Sequence, residues 1–482
     1  MPARIFVLFC LFISMVSGAD RNVLLIVADD HGQDTGAYGN SVIKTPHLDR
    51  LASEGTLFSN AFATTASCSA SRSVILSGLF NHRNGQYGHQ HDYHHFQSFE
   101  NLKTLPVLLG EAGYRTASIG KYHVAPEKVY HFQEYLPGNS RNPVEMAENS
   151  EEFIKADPDK PFFLYFCTSD PHRGGGVVEE SPYKPDRFGN RVEGYEGITE
   201  VTYDPEDVIV PPFLPDTLAT RAELAQYYQS ISRIDQGIGT LFEILKSSGA
   251  YENTLIIYIS DHGMAFPGAK TTVYEPGLKS PCIVRFPGNI KRGVTNNALI
   301  SWVDLTPTIL DFAGIDPPVY EPNINNRYVR SQLAETHGLH GRSFLSILGR
   351  EDPEGWDEIR ASHTFHEIQM YYPMRVVRNR DYKIIWNIAW PLPYPFASDL
   401  WASATWQHTY KKGMDTPYGS RTVRQYIQRP EFELYDMRSD PWETENLAGS
   451  PEYQEVLEKM KERLKEFQIE TTDPWLLKWE YE

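Results

Sequence analysis

Asn22-Val23-Leu24-Leu25-Ile26-Val27-Ala28-Asp29-Asp30 is an unbroken apolar run that stops on two carboxylates. A run this short, apolar at successive positions, reads as a strand buried on both faces of a parallel sheet. The arrangement recurs. Residues 116–119 run into Gly120-Lys121-Tyr122-His123, residues 161–166 lead to Asp170-Pro171-His172, and residues 254–259 end in Ser260-Asp261-His262. Charged or imidazole groups thus follow each strand, at the carboxyl edge where sites assemble in open α/β sheets. Between strands, Leu224, Tyr227, Ile231, Ile234, Ile238, Leu241 and Leu245 make one apolar helical face over 221–248, closed by Gly249. Residues 102–112 read as a shorter helix. The expected class is α/β, a large mixed sheet between helices.

The pattern changes near residue 370. Residues 374–378 and 381–386 flank Asn379-Arg380 like a hairpin, and 433–436 could add a strand. A last helix starts after Ser450-Pro451, with Val456, Leu457, Met460, Leu464 and Phe467 as its apolar face and Glu455–Lys459 as a charge pair. These features predict a smaller α+β domain, an antiparallel sheet plus helix, over 371–482, after a main domain over 20–370.

Residues 1–19 read as a secretory signal. Arg4 precedes an apolar stretch, and Ser17-Gly18-Ala19 is a small-residue cleavage site before Asp20. The stretch is too short for a confident membrane span, and no later segment is a candidate. The expected location is secreted or periplasmic. Cys68, Cys167 and Cys282 remain in the mature chain, too few for a disulfide framework. With no Asn-x-Ser/Thr acceptor in the chain, a bacterial origin is favoured over a lysosomal one. The net charge of −18 argues against a nucleic-acid partner, and an anionic substrate would require positive charge concentrated in the site.

Cys68-Ser69-Ala70-Ser71-Arg72 sits at a strand-to-helix turn, with Arg72 one turn along the same face. A helix start suits an anion. Asp29, Asp30 and Asp261 would repel one another unless a hard divalent ion, Ca2+ or Mg2+, joined them. His262 is a possible fourth ligand; alternatively, Asp29 and Asp30 only cap the next helix. Arg72, Lys121, His123, His172 and Lys270 supply donors for a tetrahedral oxyanion and groups for proton transfer. His89, His91, His94 and His95 form a histidine-rich stretch. Its spacing matches no standard zinc pattern, and a polar pocket wall that binds substrate is the preferred reading. Arg173, His363, His366 and Glu367 are assigned to the same pocket. Residues 173–215, rich in Gly, Pro, Tyr and acids, read as an irregular excursion over it.

Together, Ala28-Asp-Asp30, Cys68-Ser-Ala-Ser-Arg72, Gly120-Lys-Tyr-His123, Asp170-Pro-His172, Ser260-Asp-His-Gly263, and Glu433-Leu-Tyr-Asp436 with Asn446-Leu-Ala448 carry a family likeness. The chain resembles the formylglycine-dependent sulfatases of the alkaline phosphatase superfamily from about residue 22 to 475. Residues 85–96, 121–127 and 372–375 resemble the N-sulfoglucosamine sulfohydrolase (sulfamidase) branch of that family.

The resemblance implies an alkaline-phosphatase-like fold and a sulfuric ester or sulfamate hydrolase. It also implies a sulfated oligosaccharide substrate and Ca2+ rather than Mg2+, held by Asp29, Asp30, Cys68, Asp261 and His262. A maturation enzyme would oxidise Cys68 to Cα-formylglycine, which Asp261 would activate. His172, helped by Lys270, would protonate the leaving group, and His123 would take the proton that releases sulfate. Arg72 and Lys121 would hold the formylglycine and sulfate oxygens. An oligomer is possible.

Three positions depart from the family pattern: Ala70, where proline is more usual; His262, where many members carry Asn; and Lys270, shared with many O-sulfatases where sulfamidases carry Arg. The alternatives are an O-sulfatase for algal polysaccharide such as ulvan, a phosphoesterase of the same superfamily, and an inactive glycan-binding protein.

Overall fold

In the computed structural model, which describes residues 21–174, 186–288, 290–320 and 338–481, Asn22–Ala28 (β1) lies deep inside an eight-stranded sheet. The other strands are Thr56–Phe62 (β2), Arg115–Gly120 (β3), Glu134–Leu136 (β4), Phe162–Cys167 (β5), Thr254–Ser260 (β6), Cys282–Arg285 (β7) and Val294–Ser301 (β8), in the order β4-β3-β5-β1-β6-β7-β2-β8. Neighbours are parallel except at β7, which runs against both β6 and β2. The expected signal over 1–19, and residues 175–185 of the expected excursion, lie outside the described residues. Among the described residues, no helix is long and apolar enough to cross a membrane.

The sheet is a layer between two apolar cores. Val23, Leu25 and Val27 of β1 point into one, and Leu24, Ile26 and Ala28 into the other, as strand alternation requires. Long helix Leu218–Ser247 covers the second face with Ile234, Ile238, Leu241 and Leu245. Helices Cys68–Ser77 and Leu305–Ala313 cover the first with Val74, Ile75, Ile309 and Leu310. The short helix expected over 102–112 is confined to Leu105–Glu111, because Pro106 fits only its first turn.

A second, antiparallel sheet comprises Glu358–His363 (β9), Met374–Asn379 (β10), Tyr382–Asn387 (β11) and Phe432–Asp436 (β14) in the order β14-β11-β10-β9; Pro417–Tyr418 (β12) and Arg421–Thr422 (β13) form a separate pair. The expected hairpin is the β10–β11 pair. This sheet already begins at Glu358, ahead of the pattern change near 370, because β9 offers only Ile359 and Ala361 as apolar positions and hides its strand character. Val377, Ile384 and Leu434 face the core that holds Val23 and Val27, and the terminal helix Gln454–Glu470 adds Leu457, Met460, Leu464 and Phe467 to it.

The chain end is pinned by a buried ion pair. Arg375 on β10 grips both carboxylate oxygens of Asp473, with Nη2 2.9 Å from Oδ1, and neither side chain is exposed. Burial alone would raise the Asp473 carboxyl, but the Arg375 guanidinium holds it well below the usual carboxylate range. Asp473→Ala strands a buried guanidinium and should destabilise the fold by about 3–5 kcal/mol in denaturant melts near neutral pH. Because the folded-state pKa is depressed, the pair's contribution is complete above the ordinary carboxylate range and is lost as pH falls through it. The gap between wild type and variant should therefore narrow as pH drops below about 4.

Candidate active site

β1 delivers Asp29 and Asp30, β3 Lys121 and His123, β5 Asp170 and His172, and β6 Asp261 and His262; these strands are neighbours in the order β3-β5-β1-β6. Backbone bonds run on past the strand ends. Lys121 N–H donates to the Cys167 carbonyl (2.8 Å), Asp29 N–H to Asp170 (3.0 Å) and Asp261 N–H to Ala28 (3.0 Å). Gly120 ends β3 at φ 83°, and a Cβ there would stand 2.0 Å from the Cys167 carbonyl oxygen, so only glycine permits this turn.

β2 feeds through Ser67, in extended conformation, into helix Cys68–Ser77. Cys68 is fully buried in the first turn, its Sγ 3.6 Å from Asp30 Oδ1 and 3.5 Å from His262 Nε2. Burial pushes its thiol well above the ordinary range, against the pull of Lys121. An unmodified thiol here stays protonated and is a weak nucleophile.

Asp29, Asp30 and Asp261 are all fully buried. Asp29 accepts from Lys121 Nζ and, at 3.4 Å, from Arg72 Nη2. Asp30 Oδ2 meets His172 Nδ1 (2.7 Å) and Lys270 Nζ (2.9 Å), while its Oδ1 meets His262 Nε2 (3.0 Å). Asp261 accepts from Arg72 Nε (3.1 Å) and from the backbone N–H groups of Asp30 (3.0 Å) and His262 (2.9 Å). Burial raises all three, but Lys121 at Asp29 and Lys270 at Asp30 reverse the shift and hold those two well below the usual range. Asp261 lacks such a lysine, and burial with the charge of Asp29 pushes it up to about 6. A cation beside Asp261 would restore its ionised form. Asp29, Asp30, Cys68 and His172 converge within 4.8 Å, as do Cys68, Asp261 and His262. This carboxylate-rich donor set fits a hard divalent ion.

Arg72 is fully buried and each guanidinium nitrogen is committed, Nη1 to the Lys121 carbonyl at 2.9 Å. Lys270 is tied to Asp30, to His172 Nδ1 (3.0 Å) and to Asp399 Oδ2 (2.8 Å). Asp30, His123 and Thr271 adopt positive φ (66°, 53° and 65°), a strained choice that is most unusual for a β-branched threonine.

A cavity of about 700 Å3 opens over this cluster, lined by His89, His91, His94, Lys121, His123, His172, Lys270, His366 and Glu367. His91 Nδ1 lies 2.7 Å from His123 Nε2, and His89 Nε2 lies 2.9 Å from His366 Nε2. Burial, then the nearby charges of Lys270 at His89 and Lys121 at His123, push both imidazoles well below their ordinary pKa. Three expected substrate contacts lie elsewhere. His95 is exposed outside the cavity, and His363 is buried against Thr65 Oγ1 (3.1 Å). Arg173 is a structural residue, buried against the Glu223 carboxylate and the Ala265 carbonyl, because its side chain turns away from that of His172. Sequence reasoning missed Ser398 and Asp399, which line the cavity from a segment without a recognisable motif, and Gln369 beside Glu367.

A family model described as Sulfatase matches residues 21–315. The chain is 39% identical to human N-sulphoglucosamine sulphohydrolase over 97% of its own length and 93% of that protein's. It is 30% identical to an ulvan-active sulfatase of Formosa agariphila over 91% of this chain and 78% of that one. A solved structure in complex with its substrate D-glucosamine-2-N,6-O-disulfate matches with a TM-score of 0.65 at 22% identity, over 94% of this chain and 98% of that one. The phosphonate monoester hydrolase of Agrobacterium radiobacter matches at 0.66 and 19%, over 93% and 96%. The fold is alkaline-phosphatase-like, as the resemblance implied.

The carboxylate cluster leads us to expect that a hard divalent ion, Ca2+ or Mg2+, stabilises the protein, by about 2.7 kcal/mol at a concentration about 100 times its Kd. Thermal melts with Ca2+, Mg2+ or chelator would show it, and Asp29→Asn should lose most of the shift.

Proposed function

The chain belongs to the sulfatase family, hydrolases of sulfate esters or sulfamates, and we propose that it removes the N-linked sulfate of glucosamine residues in sulfated glycans. The likeness along nearly its whole length to the human N-sulphoglucosamine sulphohydrolase carries this reading. Its acidic balance is no obstacle, because Lys121 and Lys270 bring positive charge to the cavity lining. The N-terminal segment supports export from the cytoplasm.

Cys68 is proposed to be matured to formylglycine, whose hydrated aldehyde supplies one hydroxyl to attack sulfur and a second through which sulfate departs. Asp29, Asp30, Asp261 and His262 would hold Ca2+, which would supply positive charge to the sulfate oxygens. Arg72 acts as a positioning residue that aligns Asp29 and Asp261, since its side chain is fully buried and does not line the cavity. Lys121, at the cavity floor, is placed to bind a sulfate oxygen. His172 is tied through Nδ1 to Asp30 and Lys270, so Nε2 is the atom that hands a proton to the leaving nitrogen. His123 has an unpartnered Nδ1, available to accept the proton lost when sulfate departs. Glu367, which accepts from Ser398 N–H (2.9 Å) and Oγ (2.8 Å), is fixed to receive a sugar hydroxyl.

Lys270 favours a second reading, an O-sulfatase. Sulfate release should be measured separately on N-sulfated and O-sulfated glucosamine oligosaccharides, with phosphate esters as a third arm. Release from the N-sulfated set is expected. Release only from the O-sulfated set, or faster turnover of phosphate, would sink the assignment. His172→Ala should lower kcat by roughly 10²–10⁴-fold. Mass spectrometry of the peptide containing residue 68, from a host with the maturation enzyme, should find an aldehyde; an intact thiol would falsify the mechanism.

A further inference from the structure

Away from the carboxylates, three histidines meet at the cavity wall. His89, His91 and His123 each bring a ring nitrogen within 4.8 Å of the other two. Their ring centroids are 4.7 Å (His89–His91), 5.1 Å (His89–His123) and 4.8 Å (His91–His123) apart. Nδ1 of His89 is buried without a hydrogen-bond partner, and His89 as a whole is only 7% exposed. An unpaired buried imidazole nitrogen is uncommon unless a ligand satisfies it. The opposite nitrogen of His89 is tied to His366 Nε2 (2.9 Å), whose Nδ1 meets Ser67 Oγ (2.9 Å). A proton on His89 Nε2 donated to His366 leaves Nδ1 as a lone pair in a fixed ring, the outer support that metal-binding histidines use.

We propose that His89, His91 and His123 form a second metal site, separate from the carboxylate cluster, for a borderline transition ion such as Zn2+. An all-imidazole donor set suits ions of that class and disfavours Ca2+. Zn–N bonds of about 2.0–2.1 Å place tetrahedral ligand nitrogens roughly 3.3 Å apart. The His91–His123 contact at 2.7 Å has to open by about half an ångström to meet that geometry. His91, whose side chain is 40% exposed, has the freedom to supply that movement. The fourth position faces the cavity and takes water or an anion. Occupancy withdraws His123 from proton transfer, so Zn2+ inhibits sulfate release; this consequence, unlike the binding itself, rests on the role proposed for His123.

The test reads binding without turnover. In excess Ca2+, calorimetric titration of the full chain with Zn2+ should reveal one zinc site. His91→Ala, at a half-exposed position, should weaken it roughly tenfold or more, and so should His89→Gln, which keeps a polar side chain of similar reach. Asp261→Asn should leave it intact. Zinc that binds the two histidine variants as tightly as wild type, or that is lost with Asp261→Asn instead, overturns the proposal. Failure of sulfate release with zinc binding preserved would count against the proposed chemistry and leave the metal site standing.

Discussion

Three carboxylates at zero exposure on neighbouring strand ends are the constraint around which this molecule is built. Buried charge is strongly destabilising unless paired, and the chain pairs it from distant places. Arg72 comes from the helix after β2, Lys121 from the end of β3, and Lys270 from the loop after β6. Arg72 and Lys270 are themselves fully buried and so need their own partners. Lys270 therefore reaches on to Asp399, and Arg72 divides its nitrogens among Asp29, Asp261 and a carbonyl. The compensation leaves Asp261 underprovided, and there the donor set still has room for a positive ion.

How much of this was legible in the sequence depended on whether a signal was local. The strands carrying Asp29, Lys121, His172 and Asp261 announce themselves as apolar runs ending in polar groups, but their adjacency, β3-β5-β1-β6, appears only in the fold. The histidine stretch was visible too, but only folding shows that His89, His91 and His94 line the cavity while His95 faces solvent. Adjacency in sequence misled for Arg173. Next to His172 along the chain, it points into a pairing with Glu223 that no local pattern announces. Asp399 was invisible because its importance lies wholly in a contact with Lys270, 129 residues away in the chain. β9 was missed because two apolar positions do not reveal a strand whose other neighbours are already decided.

Backbone conformation at the site is equally a product of the whole. Thr271 holds its left-handed conformation because its N–H donates to the Ala66 carbonyl (2.8 Å) and its own carbonyl accepts from the Tyr394 hydroxyl (2.7 Å). Those two anchors come from the segment leading to Cys68 and from beyond the hairpin of the small sheet. Strain that a loop could not sustain alone is held from both sides, and it fixes the residue next to Lys270. Asp30 and His123 share this left-handed choice, so a carboxylate of the cluster and an imidazole of the cavity wall stand on backbone with little freedom to drift.

The pairing of Lys270 with Asp399 has an architectural consequence. The large sheet supplies nearly all the clustered charged groups, yet the lysine beside His172 is gripped by a segment that lies between β11 and β14 of the second sheet. The smaller sheet is therefore no appendage. A lesion between β11 and β14 that displaces Asp399 reaches the lysine beside His172. Damage far from the cavity and damage within it would look alike to a cell that senses only unprocessed substrate.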